Sequence, residues 1–161
     1  MGGKRRLCLK ERIQQGKLRR EDVMRGLGQL AFGKVNDCVK LALEVHPTEI
    51  AFDYWSTKKL LETIDYRPTL GINFDPSHLI WQGMDICACI RELGKAGAIF
   101  HFHAKDTKID PINCPINGVL DTKNFTDEIH RSWIFRSVGY GHDYSVWKDI
   151  VSNLRLVGYD D

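Results

Sequence analysis

No stretch of this chain approaches the roughly 20 consecutive apolar residues that a membrane-crossing helix needs. The N-terminus also lacks the apolar core of a secretory leader. Together these absences make the cytoplasm the expected address and exclude a membrane as partner. The five cysteines (Cys8, Cys38, Cys87, Cys89, Cys114) are odd in number and show no zinc-ribbon spacing. Cys87 and Cys89 stand two apart in an expected helix, where they do not face each other. Reduced thiols used for packing are the expectation. Basic residues are concentrated at the start, where residues 1–25 carry nine Lys/Arg against three Asp/Glu, while the remainder carries fourteen against eighteen. That arm has no interleaved aromatics and no recognition motif, which disfavours nucleic acid and predicts a solvated, poorly ordered segment over 1–20.

What is present begins with ordinary globular proportions: 161 residues, 43% hydrophobic and 27% charged, enough for one domain over 21–161 with a real core. Helical spacing of Val23, Met24, Leu27, Leu30, Ala31 and Val35 predicts a first helix. Three apolar runs then recur, each ending in a residue able to bind a metal: 39–44, 69–75 and 98–103. Glu44 and Asp75 are 31 positions apart, and Asp75 and His103 are 28 apart, with a helix-like stretch in each gap. This is the rhythm of successive β-α units whose chemistry sits at the C-terminal tips of parallel strands. Parallel neighbours lie about 4.8 Å apart, so side chains from adjacent tips can converge on one ion.

The helices should run from a Ser56 or Thr57 cap through Ile64, from an Asp85 cap to Gly94, and over about 144–156. The last should turn Val146, Trp147, Ile150, Val151 and Leu154 to the core and stop at Gly158. The long segment 105–142, with Pro111, Pro115 and the cluster Trp133-Ile-Phe135, reads as a packed lid. Gly139-x-Gly141 before the last helix reads equally as a phosphate cradle and as a tight turn ahead of an Asp143 or Ser145 cap.

Strand alternation refines the metal set. His101 and His103 share a face, and His103, nearer the tip, is the expected ligand, with His101 a hydrogen-bonded neighbour one layer deeper. Asn73 and Asp75 share a face, as do Ala42, Glu44 and His46. Singly, each has a plain structural explanation: a core histidine, a helix-capping glutamate, an aspartate in a turn. Their joint occurrence at three equally spaced tips favours a divalent cation such as Mn²⁺, Co²⁺, Zn²⁺ or Mg²⁺.

Four motifs in order, Leu43-Glu-Val-His-Pro-Thr-Glu49, Asn73-Phe-Asp-Pro-Ser-His78, His101-Phe-His-Ala-Lys-Asp106 and Gly139-Tyr-Gly-His-Asp-Tyr-Ser-Val-Trp147, resemble the sugar phosphate isomerase/epimerase family. These are xylose-isomerase-like TIM barrels, related to ketose 3-epimerases, inosose dehydratases and zinc AP endonucleases, and the resemblance runs from about Val35 to Asp161. It implies an α/β fold, here a partial (β/α) barrel of about three parallel strands with flanking helices. It makes Glu44, Asp75 and His103 three of four metal ligands, and His78 a substrate-contacting histidine. His46, Lys105 and Arg136 would touch the sugar or its phosphate, and Glu49 falls near a second carboxylate position.

The implied chemistry is proton transfer α to a carbonyl through an enediolate, with Glu44 as the catalytic carboxylate. The family's fourth ligand is a glutamate on a later strand than those present here. The expectation is therefore an incomplete copy, cut at both ends, that binds metal weakly and turns over little alone. Two other readings accompany it. One is a zinc AP-endonuclease-like phosphodiesterase; the other is a non-catalytic remnant whose exposed strand edges pair into a homo-oligomer or hold a partner.

Overall fold

The computed structural model describes residues 40–160. The helix expected from the spacing between Val23 and Val35, and the basic segment over 1–20, lie outside them. The described chain runs β1 (Leu41–Glu44), α1 (Tyr54–Thr63), β2 (Leu70–Phe74), α2 (Pro76–Ile80), α3 (Ile86–Lys95), β3 (Ile99–Phe102), β4 (Asp106–Ile109), α4 (Asn113–Asn117), a 3₁₀ turn at Glu128–His130, β5 (Trp133–Arg136) and α5 (Tyr144–Leu156).

β1, β2 and β3 form one sheet in that order, all parallel. This is the expected α/β arc of a TIM barrel, with helices covering its outer face. Leu70, Ile72 and Phe74 are buried on the central strand. They meet Leu60, Leu61 and Ile64 of α1, Ile90 and Leu93 of α3, and Ile150 and Leu154 of α5 in one apolar cluster. That burial, at about 25 cal/mol per Å² of apolar surface removed from water, is what holds the helices to the sheet.

Aspartates start the helices. The Asp53 carboxylate accepts from Ser56 N at 2.7 Å, while Ser56 Oγ accepts from Asp53 N at 3.1 Å, a reciprocal capping box. The cap is thus Asp53, three residues ahead of the expected Ser56 or Thr57, both of which are buried inside the helix. Asp85 caps α3 through Ala88 N, and Asp143 caps α5 through Ser145 N and Val146 N. α3 continues one residue past Gly94, which lies under Val157 of the chain following α5. α5 has the expected bounds, but its buried face is Trp147, Ile150, Asn153 and Leu154. Val146 and Val151 are exposed. Gly158 follows with φ +81°, a left-handed turn that ends the helix.

The largest departure is in 105–142. Within the segment read as a packed lid, two strands form that were not expected: β4 and β5 pair antiparallel, Asp106 opposite Arg136 and Ile109 opposite Trp133. Thr107 Oγ1 donates to Ser77 O at 2.7 Å, fastening this hairpin to α2.

β2 also carries a close approach. The register between β2 and β3 slips at Ile72/Asn73, which places Phe100 over Gly71. A Cβ on Gly71 would lie 2.5 Å from Phe100 Cγ and 2.6 Å from the Ala98 carbonyl oxygen. Gly71→Ala should therefore lower stability by about 1–3 kcal/mol through overpacking, read as a fall in the urea midpoint at unchanged m-value.

Candidate metal and substrate site

Glu44 is the last residue of β1, Asp75 follows β2 directly and His103 follows β3, so all three stand at the same end of the sheet. Pairing across the strands sets this. Glu44 is in register with Asn73, and Asn73 with His101, placing Asp75 and His103 one step further out on the same side. His103 N donates to Phe74 O at 2.9 Å, which extends the pairing past the formal strand end.

Asp75 has two jobs. Its Oδ1 caps α2 by accepting from Ser77 N at 2.9 Å, with Pro76 at the first helical position where no N–H is needed. Its Oδ2 is fully buried and accepts no hydrogen bond. Yet it is surrounded by cationic or metal-ligating groups: His78 Nε2 at 3.4 Å, His103 Nδ1 at 3.4 Å and Lys105 Nζ at 3.5 Å. Glu44 Oε1 lies 3.8 Å from His78 Nε2 and 3.7 Å from His103 Nδ1. Donor atoms of Glu44, Asp75 and His78 all fall within 4.8 Å of one another.

Two donors bound to one cation at about 2.1 Å stand roughly 3.0–3.4 Å apart in octahedral or tetrahedral geometry. The imidazole nitrogens stand at the long end of that spacing from Asp75 Oδ2 and a few tenths of an ångström beyond it from Glu44 Oε1. The separations do not match a hydrogen-bond network, because the imidazole nitrogens nearest Asp75 Oδ2 do not bond to it. The donor set fits a divalent cation.

His78, the substrate-contacting histidine by resemblance, is buried. Burial, opposed by Asp75 and reinforced by His46, Lys105 and His103, depresses its pKa to about 4, so it is a neutral imidazole at neutral pH. His46 packs on it ring to ring at 4.2 Å and bonds Thr48 through Nδ1. Phe135 of β5 closes the other side at 5.2 Å, nearly perpendicular to the His78 ring. His101 is exposed on β3, and among the described residues its ring has no hydrogen-bond partner to support the expected neighbour role. Arg136 points its guanidinium to Glu128 Oε2 at 2.9 Å and shares an open depression with His103, Lys105, Phe135 and Ser137. Glu49 is half-buried, its backbone N–H bonded to His46 O.

Trp133 is buried and stacked on Trp81 with ring centroids 4.7 Å apart, so of the aromatic cluster only Phe135 reaches the site, and Tyr140 is exposed.

The Gly139-x-Gly141 loop already holds an anion of its own. Asp106, fully buried, accepts through Oδ2 from Gly139 N, Gly141 N and His142 N at 3.2, 3.0 and 2.9 Å, and from Trp147 Nε1 at 3.0 Å. Its Oδ1 accepts from Thr107 N and meets His142 Nδ1, both at 2.8 Å. Of the two equal readings of this loop, phosphate cradle or tight turn, the structure shows backbone N–H groups gathered on an anion, and that anion is the Asp106 carboxylate. A Cβ on Gly141 would sit 2.5 Å from Thr107 O, so only glycine admits this approach. Asp106 closes one of the four motifs, but its role as this anion was not legible there, because all its partners except Thr107 lie more than 30 residues away.

The cysteines behave as packing groups: among the described residues Cys87, Cys89 and Cys114 are free thiols, and burial pushes Cys89 up to about 11. Among the described residues, no helix is long and apolar enough to cross a membrane.

Comparisons with known proteins bear on the fold and the family. The chain is 37% identical over 121 residues to the uncharacterized protein YfiH of Bacillus subtilis, a match covering 75% of this chain and 37% of that protein. Its fold superposes on the probable 3-DHS dehydratase AsbF of Bacillus anthracis, described as involved in petrobactin synthesis, with TM-score 0.62 at 21% identity, over 87% of this chain and 48% of that one. A xylose isomerase domain protein from Planctomyces limnophilus matches with TM-score 0.56 at 24% identity, over 88% and 43% of the two chains. The chain thus spans less than half the length of each of these proteins. The family pattern of xylose isomerase-like TIM barrels extends over residues 4–161, well ahead of Val35, where the motif resemblance begins. That family includes sugar isomerases, epimerases and AP-endonuclease-like members, and often uses divalent metals. With its parallel strands and a match over nearly its whole length, the chain belongs to the xylose isomerase-like TIM barrel family.

Proposed function

We propose that this chain carries the metal-binding portion of a sugar or sugar-phosphate isomerase/epimerase site, in which Glu44, Asp75 and His103 hold a divalent cation. The observation that carries the reading is Asp75 Oδ2, a buried carboxylate oxygen without a hydrogen bond, facing two imidazole nitrogens at 3.4 Å. Leaving such an oxygen unpaired costs about 1–3 kcal/mol or more, a cost that a bound cation offsets.

A divalent ion at this place supplies Lewis acidity, easing removal of a proton from a carbon next to a carbonyl. The remaining work falls to side chains. Glu44 is the carboxylate of the cluster open to solvent, its side chain 41% exposed, and can take a proton from carbon; Asp75, fully buried, cannot. Such a general base contributes about 10²–10⁴-fold. His78, neutral and wedged between His46 and Phe135, presents Nε2 toward the same oxygens and is positioned to hydrogen-bond a substrate oxygen. Lys105 and Arg136 line the open side, where a hydroxyl or phosphate of the sugar would enter.

The test is solvent exchange. Mn²⁺-loaded protein incubated with a panel of ketoses in D₂O should exchange the C–H beside the carbonyl, followed by NMR, and Glu44→Gln should slow that exchange by about 10²-fold or more. Exchange that is equally fast in the variant would remove Glu44 from the mechanism.

A further inference from the structure

Lys105 occupies a place that the proton-transfer scheme does not explain. It follows His103 by two residues, and its ammonium stands 3.5 Å from Asp75 Oδ2, the oxygen that has no hydrogen bond. The same ammonium lies 3.7 Å from the centroid of the Phe135 ring. Its side chain is 29% exposed, so it is partly withdrawn from water, and an open depression lies beside it, lined by His103, Phe135, Arg136 and Ser137. An ammonium poised between a carboxylate and an aromatic face has two favourable contacts: the ion pair, and the electron-rich surface of the ring.

We propose that Lys105 is a resident counter-cation, which neutralises Asp75 in the metal-free protein and, when a divalent ion binds, leaves Asp75 for the adjoining depression while Phe135 keeps hold of its ammonium. The inference rests on the metal reading above. Its physical basis is that two cations cannot share one buried carboxylate oxygen without strong repulsion, which at these separations is several times larger than in bulk water. Metal affinity therefore contains a displacement cost set by how firmly Lys105 holds Asp75. A lysine acting only as a substrate contact would leave that affinity unchanged.

Mn²⁺ titration followed by calorimetry and by the loss of the free-ion electron paramagnetic resonance signal tests this without any substrate. Lys105→Gln should bind Mn²⁺ about tenfold tighter than the unmodified chain, Lys105→Arg should stay near the unmodified value, and Phe135→Leu, which removes the ring that keeps hold of the ammonium, should bind about threefold weaker. Where a variant folds poorly, reductive methylation of the unmodified protein gives a second reading: Lys105 should react faster once Mn²⁺ is added. Unchanged or weaker binding by Lys105→Gln, with binding still abolished in Asp75→Asn, overturns the counter-cation role and leaves the metal site standing. No Mn²⁺ binding by the unmodified chain overturns both.

Discussion

Asp75→Asn should abolish divalent-cation binding while leaving the fold intact, a separation few ligand substitutions give. The side chain does two things with two oxygens. Oδ1 caps α2 through Ser77 N, and an asparagine oxygen caps equally well. Oδ2 faces His78, His103 and the Lys105 ammonium and belongs to the cluster with Glu44 and His78. The variant therefore keeps the helix start and loses the buried negative charge. Mn²⁺ affinity should fall by about 10²-fold or more, beyond the 10- to 100-fold typical of losing a group that merely supports a ligand.

Thermal unfolding supplies the check. Metal at about 100 times its Kd stabilises the folded state by about 2.7 kcal/mol, so the unmodified chain should melt several degrees higher with Mn²⁺ than with chelator. The Asp75→Asn melting point should ignore the ion. Without metal it should stay close to that of the unmodified chain, since removing a buried charge that accepts no hydrogen bond is offset by losing its ion pair with Lys105. A metal-dependent shift of full size in Asp75→Asn would show that the ion, if it binds, binds elsewhere.

The site was legible in the sequence because its logic is periodic. Strand alternation fixes which side chains share a face, and the β-α repeat fixes which strand ends share a side. Glu44, Asp75 and His103 could thus be brought together from spacing alone, and the structure places them there. His78 was legible only as a residue near the mouth. Its burial between His46 and Phe135 depends on a ring from β5, 57 positions later, and no local pattern reports that.

The hairpin failed for the same reason. Asp106-Thr-Lys-Ile109 and Trp133-Ile-Phe-Arg136 are short, only partly apolar and separated by residues 110–132, so no turn signal links them. Proline and glycine content in that interval pointed to a loop, and non-local pairing overrode it. The misplaced α1 cap is a smaller case: Asp53 and Ser56 are comparably good caps, and their three-residue spacing is the capping-box signature, which would have located the start.

Asp106→Asn should be the most destabilising conservative substitution proposed for this chain, and the reason is counting donors. The carboxylate accepts from three consecutive-loop N–H groups, the Thr107 N–H and the Trp147 indole, and meets the His142 ring. An amide nitrogen turned to either side faces donors instead of accepting from them, leaving at least one buried N–H unpaired along with the lost charge. The expected loss is about 3–5 kcal/mol, the scale of breaking a buried charged network. Asp143→Asn, at an exposed cap that asparagine can replace, should lose well under 1 kcal/mol and serves as the control.

Acid titration separates charge from shape. Burial opposes ionisation of Asp106, but the hydrogen bonds from His142, Trp147 and Gly141 outweigh it and hold the carboxyl below its ordinary value of 3.8. A carboxyl with a depressed folded-state pKa contributes stability that is complete above its unfolded value and is lost as pH falls through the folded one. The unmodified chain should lose this contribution below about pH 4, whereas the Asp106→Asn protein, already without it, should show a flatter stability profile there. Parallel profiles for the two proteins would mean that the loop is held by shape alone and that the buried charge contributes nothing. A steeper profile in the unmodified chain identifies Asp106 as the anion that fastens the Gly139–His142 loop and the start of α5 to the hairpin bearing Phe135, and through that ring to His78.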